Sequence, residues 1–72
     1  MTNKEKLSLL EEMLDVEEGT LSEDTELLNL DNWDSMAAIS LIALVDEKFG
    51  KQLTGAEIRN FKKVRDILDF MG

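Results

Sequence analysis

The 72-residue sequence contains no cysteine, no histidine and no proline. Without cysteine the chain can form no disulfide framework, zinc–thiolate site or cysteine nucleophile. Without histidine it lacks the usual general base near neutral pH and the most common metal ligand. We expect residues 1–72 to form one small domain, with little room for an enclosed active site. These absences weigh against an enzyme.

Long apolar runs are also missing. Residues 1–6 lack the apolar core of a signal peptide, and no apolar run is long enough to span a bilayer. The absence of disulfides fits a reducing compartment. We therefore expect a soluble, cytoplasmic protein that does not bind membranes.

Acidic residues outnumber basic ones by sixteen to eight, which gives a formal net charge of −8. The first half holds the excess: residues 1–36 contain eleven acids and two lysines, whereas residues 37–72 contain five acids and six bases. Such a front half repels nucleic acid and anionic membranes and attracts basic protein surfaces. The alternative is that the acids only keep a small domain in solution.

The spacing of apolar residues predicts four helices and no strand. The predicted helices cover residues 4–14, 35–49, 56–60 and 64–71. Leu7, Leu10 and Leu14 define the first by their spacings of three and four residues, and Gly50 is the expected C-cap of the second. The expected fold is an all-α four-helix bundle, with three main helices and one short helix.

A long segment, residues 15–33, separates the first two predicted helices. It is rich in turn-forming residues, yet it also contains six large apolar ones: Val16, Leu21, Leu27, Leu28, Leu30 and Trp33. A flexible linker would not need them, and a loop of this length inside a compact domain is usually functional. We expect a long ordered loop, held to the core by these six side chains.

The second predicted helix carries two apolar patches on a helical wheel. The core stripe consists of Ala38, Leu41, Ile42, Val45 and Phe49. The second patch consists of Met36, Ile39 and Ala43, with Ser35 at its edge and Asp46 and Glu47 beside it. Because a helix in a bundle needs only one stripe, the second patch indicates a docking surface. The alternative is that the long loop covers this patch with Leu30 and Trp33.

Ser35 follows Asp34 at a predicted helix N-terminus. Unpaired N–H groups and partial positive charge at such a place favour a phosphate ester. The alternative is that the two residues only cap the helix. A hydroxyl nucleophile needs an adjacent base. The only neighbouring candidate is Asp34, and an ionised carboxylate is too weak a base to take a hydroxyl proton readily. If Ser35 reacts, another protein must supply the chemistry.

The acids of the loop do not match a calcium-binding loop. Counting from Asp31, Trp33 stands at the third position and Met36 at the sixth, where an EF-hand has a ligand and a glycine. No metal site is therefore predicted. Loose binding of divalent cations to the acidic surface stays an alternative.

Residues 30–36, Leu-Asp-Asn-Trp-Asp-Ser-Met, resemble the modification site of acyl and peptidyl carrier proteins, whose short core is Asp-Ser-Leu or Asp-Ser-Met. Three further stretches are similar to that family. Residues 24–27, Asp-Thr-Glu-Leu, resemble its loop segment, residues 45–50 the end of its second helix, and residues 61–67 the entry to its last helix. The resemblance covers nearly the whole chain.

This resemblance implies a function. A phosphopantetheinyl transferase would attach 4'-phosphopantetheine covalently to Ser35, and the thiol of that arm would carry acyl or aminoacyl groups as thioesters. The chain itself would hold no catalytic residue. Enzymes with basic docking surfaces would contact the second helix and its preceding loop at Asp31, Asp34, Met36, Ile39, Ala43, Asp46 and Glu47.

The chain departs from fatty-acid carriers of the family, which commonly have Gly-Ala before Asp-Ser and acids shortly after it. Asn32 and Trp33 stand before it here, and Ala37, Ala38 and Ser40 stand after it. Lys63 replaces a threonine that often caps the last helix in the family. These differences favour a specialised biosynthetic pathway.

The chain begins close to the first predicted helix and ends just after the last, so we expect a free-standing, monomeric carrier. Two other functions compete with this one. An acidic helical adaptor without a prosthetic group would use Ser35 only as a cap. A small hydrolase with Ser35 as nucleophile is nearly excluded because the chain supplies no base.

Overall fold

The computed structural model describes residues 2–72. Four α-helices form the fold: α1 Asn3–Leu14, α2 Ser35–Phe49, α3 Gly55–Asn60 and α4 Val64–Met71. Within this described range no strand occurs, and α1 packs against both α2 and α4. The predicted all-α four-helix fold is confirmed; α2 and α4 have the predicted bounds, and α1 and α3 each begin one residue earlier. No helix among residues 2–72 has the length and apolar character needed to cross a bilayer.

Local capping residues set the helix ends. The Thr2 hydroxyl accepts a hydrogen bond from the Glu5 N–H at 3.2 Å, and the Glu5 carboxylate accepts one from the Thr2 N–H at 3.0 Å. Thr54 and Glu57 form the same reciprocal pair at the start of α3. At the end of α2, Gly50 has a φ of 63°, a left-handed conformation that glycine adopts without strain.

The ends of α4 depend on charged side chains. Lys63 is the N-cap residue of α4, but its ammonium group has no lone pair and cannot accept a hydrogen bond from the first turn. The Asp66 carboxylate caps the helix instead by accepting the N–H groups of Lys62 and Lys63, at 2.8 and 3.1 Å. These two bonds stabilise the ionised form and hold the pKa of Asp66 below its ordinary value. At the other end, Lys51 Nζ donates to the Phe70 carbonyl at 2.9 Å. Both ends of this short helix thus have polar partners.

Apolar side chains from the three longer helices and from the first two connecting loops form the core: Leu10, Leu14, Leu21, Leu27, Ala37, Leu41, Val45, Leu53, Val64, Ile67, Leu68 and Met71. The predicted stripe of α2 is correct for Leu41 and Val45, which are buried, and for Ile42 and Phe49, which pack half-buried against the core. Ala38 is only half-buried, and Ala37 takes the core position instead. Ala37 lies four residues before Leu41 and therefore on the same side of the helix.

The loop between α1 and α2, residues 15–34, is ordered and contains a one-turn 3-10 helix, Leu27–Asn29. Five of the six apolar residues expected to hold it are buried or half-buried: Val16, Leu21, Leu27, Leu30 and Trp33. The prediction is wrong for Leu28, which is 93% exposed. Successive side chains of a 3-10 turn point about 120° apart, so burying Leu27 turns Leu28 outward.

A buried carboxylate fastens this loop to α1. Glu11 is only 4% exposed, and its Oε2 accepts the N–H groups of Gly19 and Leu21, both at 2.9 Å. A buried charge is tolerated when hydrogen bonds replace its water. This burial was not predicted, although the spacing of Glu11 from Leu7 and Leu14 places it on the apolar face of α1.

The loop is also paired with the start of α4. Three backbone hydrogen bonds of 2.9 Å join them, from Leu27 N–H to Lys62 O, from Val64 N–H to Thr25 O and from Arg65 N–H to Glu23 O. An ion pair between Arg65 and Asp24 lies beside them. The loop is thus fixed to α1 and to α4 before the chain enters α2.

Candidate functional site

Ser35 is the first residue of α2, and it is exposed. Asp34 precedes it as the N-cap, and its Oδ1 accepts the Ala37 N–H at 2.9 Å. Other N–H groups of a first helical turn have no partner within the helix, and the partial positive charge there favours a phosphate. Ser35 therefore has the position that the sequence predicted for it.

The backbone just before Ser35 is held in place. Asn32 Nδ2 donates to the Leu14 carbonyl at 3.1 Å, where α1 ends. The Trp33 N–H donates to the Leu30 carbonyl at 3.3 Å, and the Trp33 side chain is half-buried against the core. An exposed hydroxyl is thus presented on a fixed stretch of backbone.

The second apolar patch of α2 is open to solvent. Met36 is 70% exposed, Ile39 is 61% exposed, and Ala43 is also exposed. Leu30 and Trp33 pack against the core instead of covering the patch. The alternative in which the loop covers this patch is therefore wrong. We call these three residues the exposed face of α2.

Acidic side chains stand at both ends of this exposed face. Asp31 and Asp34 are exposed before it, and Asp46 and Glu47 are exposed about 17 Å further along α2. Residues 7–47 contain twelve acids and no lysine or arginine. An apolar strip between negative charges is complementary to a protein surface that is basic around an apolar centre.

An open groove of about 400 Å³ lies along one side of the exposed face. Its lining includes Ile39, Ala43, Asp46, Lys51 and Leu53. It begins about one helical turn beyond the serine that starts α2. The exposed hydroxyl and the open surface next to it leave room for a covalently attached flexible arm.

The site has limited chemistry of its own. The chain contains no histidine, and the neighbouring carboxylate of Asp34 faces the backbone of α2 as a cap. Among residues 2–72, no group of three or more acidic side chains lies close enough to hold a metal ion. The arrangement can present a hydroxyl to another protein but does not pair it with a base.

The chain is similar to known proteins over a range that contains this site. A family model described as the phosphopantetheine attachment site matches residues 7–71. An acyl carrier protein of Coprothermobacter proteolyticus is 26% identical over 68 residues, which cover 94% of this chain and 83% of that protein. No solved structure matches the chain at a significant level. The matched range includes α2, the exposed hydroxyl and the loop that holds it.

Proposed function

We propose that this chain, which belongs to the phosphopantetheine attachment-site family, carries acyl or aminoacyl intermediates as thioesters on an arm attached to Ser35. As a member of that family the chain is a carrier and not an enzyme, and its covalent prosthetic group is 4'-phosphopantetheine. The observation that supports Ser35 is its exposure at the first residue of α2, next to the exposed face.

Attachment is a phosphoryl transfer onto the Ser35 hydroxyl. The Ser35 oxygen attacks the phosphorus of coenzyme A that bears the pantetheine, and a new O–P bond forms. The pyrophosphate P–O bond breaks, and adenosine 3',5'-bisphosphate leaves. Since the chain offers no base, the hydroxyl proton passes to a base of the transferase. When attached, the arm supplies a thiol for thioester formation.

The partners are a phosphopantetheinyl transferase and acyl-handling enzymes, as for the family in general. We propose that their docking surfaces are basic and that the carrier acts as a monomer. Support for the basic docking surfaces comes from the acids at both ends of the exposed face and from the absence of basic residues between positions 7 and 47. Such binding weakens as salt screens the charges, so transfer rates that do not fall with ionic strength would contradict it.

The proposed pathway is specialised biosynthesis and not primary fatty-acid synthesis. Support comes from Asn32 and Trp33, which stand before Asp34 where fatty-acid carriers commonly have Gly-Ala. In this fold Asn32 donates a hydrogen bond to the Leu14 carbonyl, and Trp33 packs against the core. The holo-protein is expected to replace the carrier of a reconstituted primary fatty-acid synthase poorly. Efficient replacement would contradict this part of the proposal.

The attachment itself is tested by intact-mass measurement. The apo-protein is incubated with coenzyme A and a broad-specificity transferase, and one phosphopantetheine should be added. Ser35→Ala should abolish the addition, whereas Ser40→Ala, which removes another exposed serine of α2, should not. An unmodified wild type, or a modified Ser35→Ala variant, would contradict the proposal. An acidic adaptor without a prosthetic group predicts no addition to any of the three proteins.

A further inference from the structure

The open groove beside α2 is in line with the proposed attachment serine. Ser35, Ile39, Ile42 and Asp46 follow one another at spacings of four, three and four residues, so they lie along one side of the helix. The last three of these residues line the groove of about 400 Å³, and Leu53, which follows α2 in the chain, lines it as well. A group attached to Ser35 therefore has a continuous surface to follow along α2.

The groove combines apolar walls with two charged side chains. Ile42 is half-buried against the core, and Leu53 is only 3% exposed. Asp46 and Lys51, both exposed, line the groove near the C-terminal end of α2, which is the end farthest from Ser35. A group that lies along the groove thus has apolar contacts on its way and meets charge at its tip.

The reach of the arm matches the length of this path. Asp46 lies about 17 Å from Ser35 along the helix, since each residue adds about 1.5 Å. About 14 bonds separate the serine oxygen from the sulfur of phosphopantetheine, and three bonds of an extended chain span about 3.5 Å, so the arm reaches about 16 Å. A cargo on the sulfur therefore lies at the charged end of the groove when the arm follows α2.

Of the charges at this end, the Asp46 carboxylate is the one that is open to a ligand. It has no ion-pair or hydrogen-bond partner among residues 2–72. Lys51 Nζ donates to the Phe70 carbonyl at 2.9 Å and lies 5.8 Å from the centre of the Phe70 ring, so it is held toward α4. Lys48 lies about 200° around the helix from Asp46 and lines a separate groove between α1 and α2.

We propose that the cargo is an aminoacyl group whose ammonium group pairs with the Asp46 carboxylate while the groove holds the arm. This inference rests on the proposed function and narrows its cargo from acyl or aminoacyl groups to aminoacyl groups. A purely alkyl cargo gains nothing from an exposed carboxylate, and a cargo with its own carboxylate is repelled by it. Since Asp46 also belongs to the proposed docking surface, a basic partner that binds it releases the amino group.

The experiment loads the apo-protein with three groups of one shape, each from its coenzyme A thioester, by means of the broad-specificity transferase. Alanyl, isobutyryl and methylmalonyl groups share a propionyl frame and differ in one substituent, which is an ammonium, a methyl or a carboxylate group. Intact mass, with Ser35→Ala as the blank, shows that each group is attached. Backbone amide signals in NMR spectra then report where it lies. Relative to the unloaded holo-protein, the alanyl group should shift the Asp46 and Leu53 signals most and the methylmalonyl group least.

The pKa of the alanyl amine, measured with a nitrogen-15 label at low ionic strength, tests the ion pair directly. A neighbouring carboxylate raises the pKa of an amine. Because exposed ion pairs are weak, we expect the pKa to be only about half a unit higher on the wild type than on Asp46→Asn. The matched control is Glu47→Gln, which removes the same charge one residue away, at the groove between α1 and α2, and should leave this pKa near the wild-type value.

Three results would overturn the inference while Ser35 still accepts the arm. One is that the isobutyryl group shifts the Asp46 and Leu53 signals as much as the alanyl group does. Another is that Asp46→Asn and Glu47→Gln lower the pKa of the amine equally, because the effect would then come from the general negative charge. The third is that the methylmalonyl group gives the largest shifts, which would assign the groove to a carboxylated cargo and Lys51. If the wild type accepts none of the three groups, the proposed function fails as well.

Discussion

The two faces of α2 are both apolar, but they differ in what covers them. Leu41 and Val45 are fully buried, whereas Met36 and Ile39 on the exposed face have most of their surface in solvent. The buried residues tie α2 to the core, and the exposed ones contribute little to that packing. We propose that stability and partner binding depend on different residues of this one helix, so that each can be changed without the other.

The largest expected effect is a loss of stability on changing the buried face of α2, and a matched change on the exposed face tests whether the two faces are distinct. Leu41→Ala removes a fully buried side chain and should lower the free energy of unfolding by about 2–5 kcal/mol. Ile39→Ala, at an exposed position, should change it by about 0.5 kcal/mol or less but should slow transfer of phosphopantetheine to Ser35. Urea unfolding followed by circular dichroism, together with the transfer assay, measures both. Equal destabilisation by the two changes would mean that the two faces are not distinct.

A smaller effect is expected at the buried carboxylate that fastens the loop. Glu11→Gln removes the charge that accepts the Gly19 and Leu21 N–H groups and should lower stability by about 1–3 kcal/mol. The control is Glu12→Gln, which changes the same charge at an exposed neighbouring position. Urea unfolding and hydrogen exchange of the two loop amides are the measurements. Equal stability of the two variants would show that Glu11 does not hold the loop.

The smallest expected effect separates capping from recognition at Asp34. Asp34→Ala removes the N-cap and should destabilise the protein by about 1 kcal/mol. Asp34→Asn keeps an acceptor for the Ala37 N–H, so its stability should stay near that of the wild type. Both variants should be modified more slowly at Ser35 if the transferase binds the negative charge. Normal modification of the Asn variant would leave Asp34 with a capping role only.

The helices could be predicted because their signals are local. Leu7, Leu10 and Leu14 mark α1 by spacing, and Gly50 ends α2 because its left-handed φ favours glycine. The expected location of Ser35 followed from the same local signals. The core position of Ala37 was missed because the wheel showed two adjacent alanines, and packing against the rest of the core determines which one is buried.

Four helices, an acidic front half and a serine at the start of α2 could be predicted from the residues alone, since each depends on residues close together in the chain. Which side chains are covered depends on how these segments pack. Glu11 is buried because the loop folds back and offers two N–H groups to it. Leu28 is exposed because the backbone pairing of Leu27 with Lys62 turns its neighbour outward. Burial depends on segments that are far apart in sequence, and hydropathy of a single segment does not contain that information.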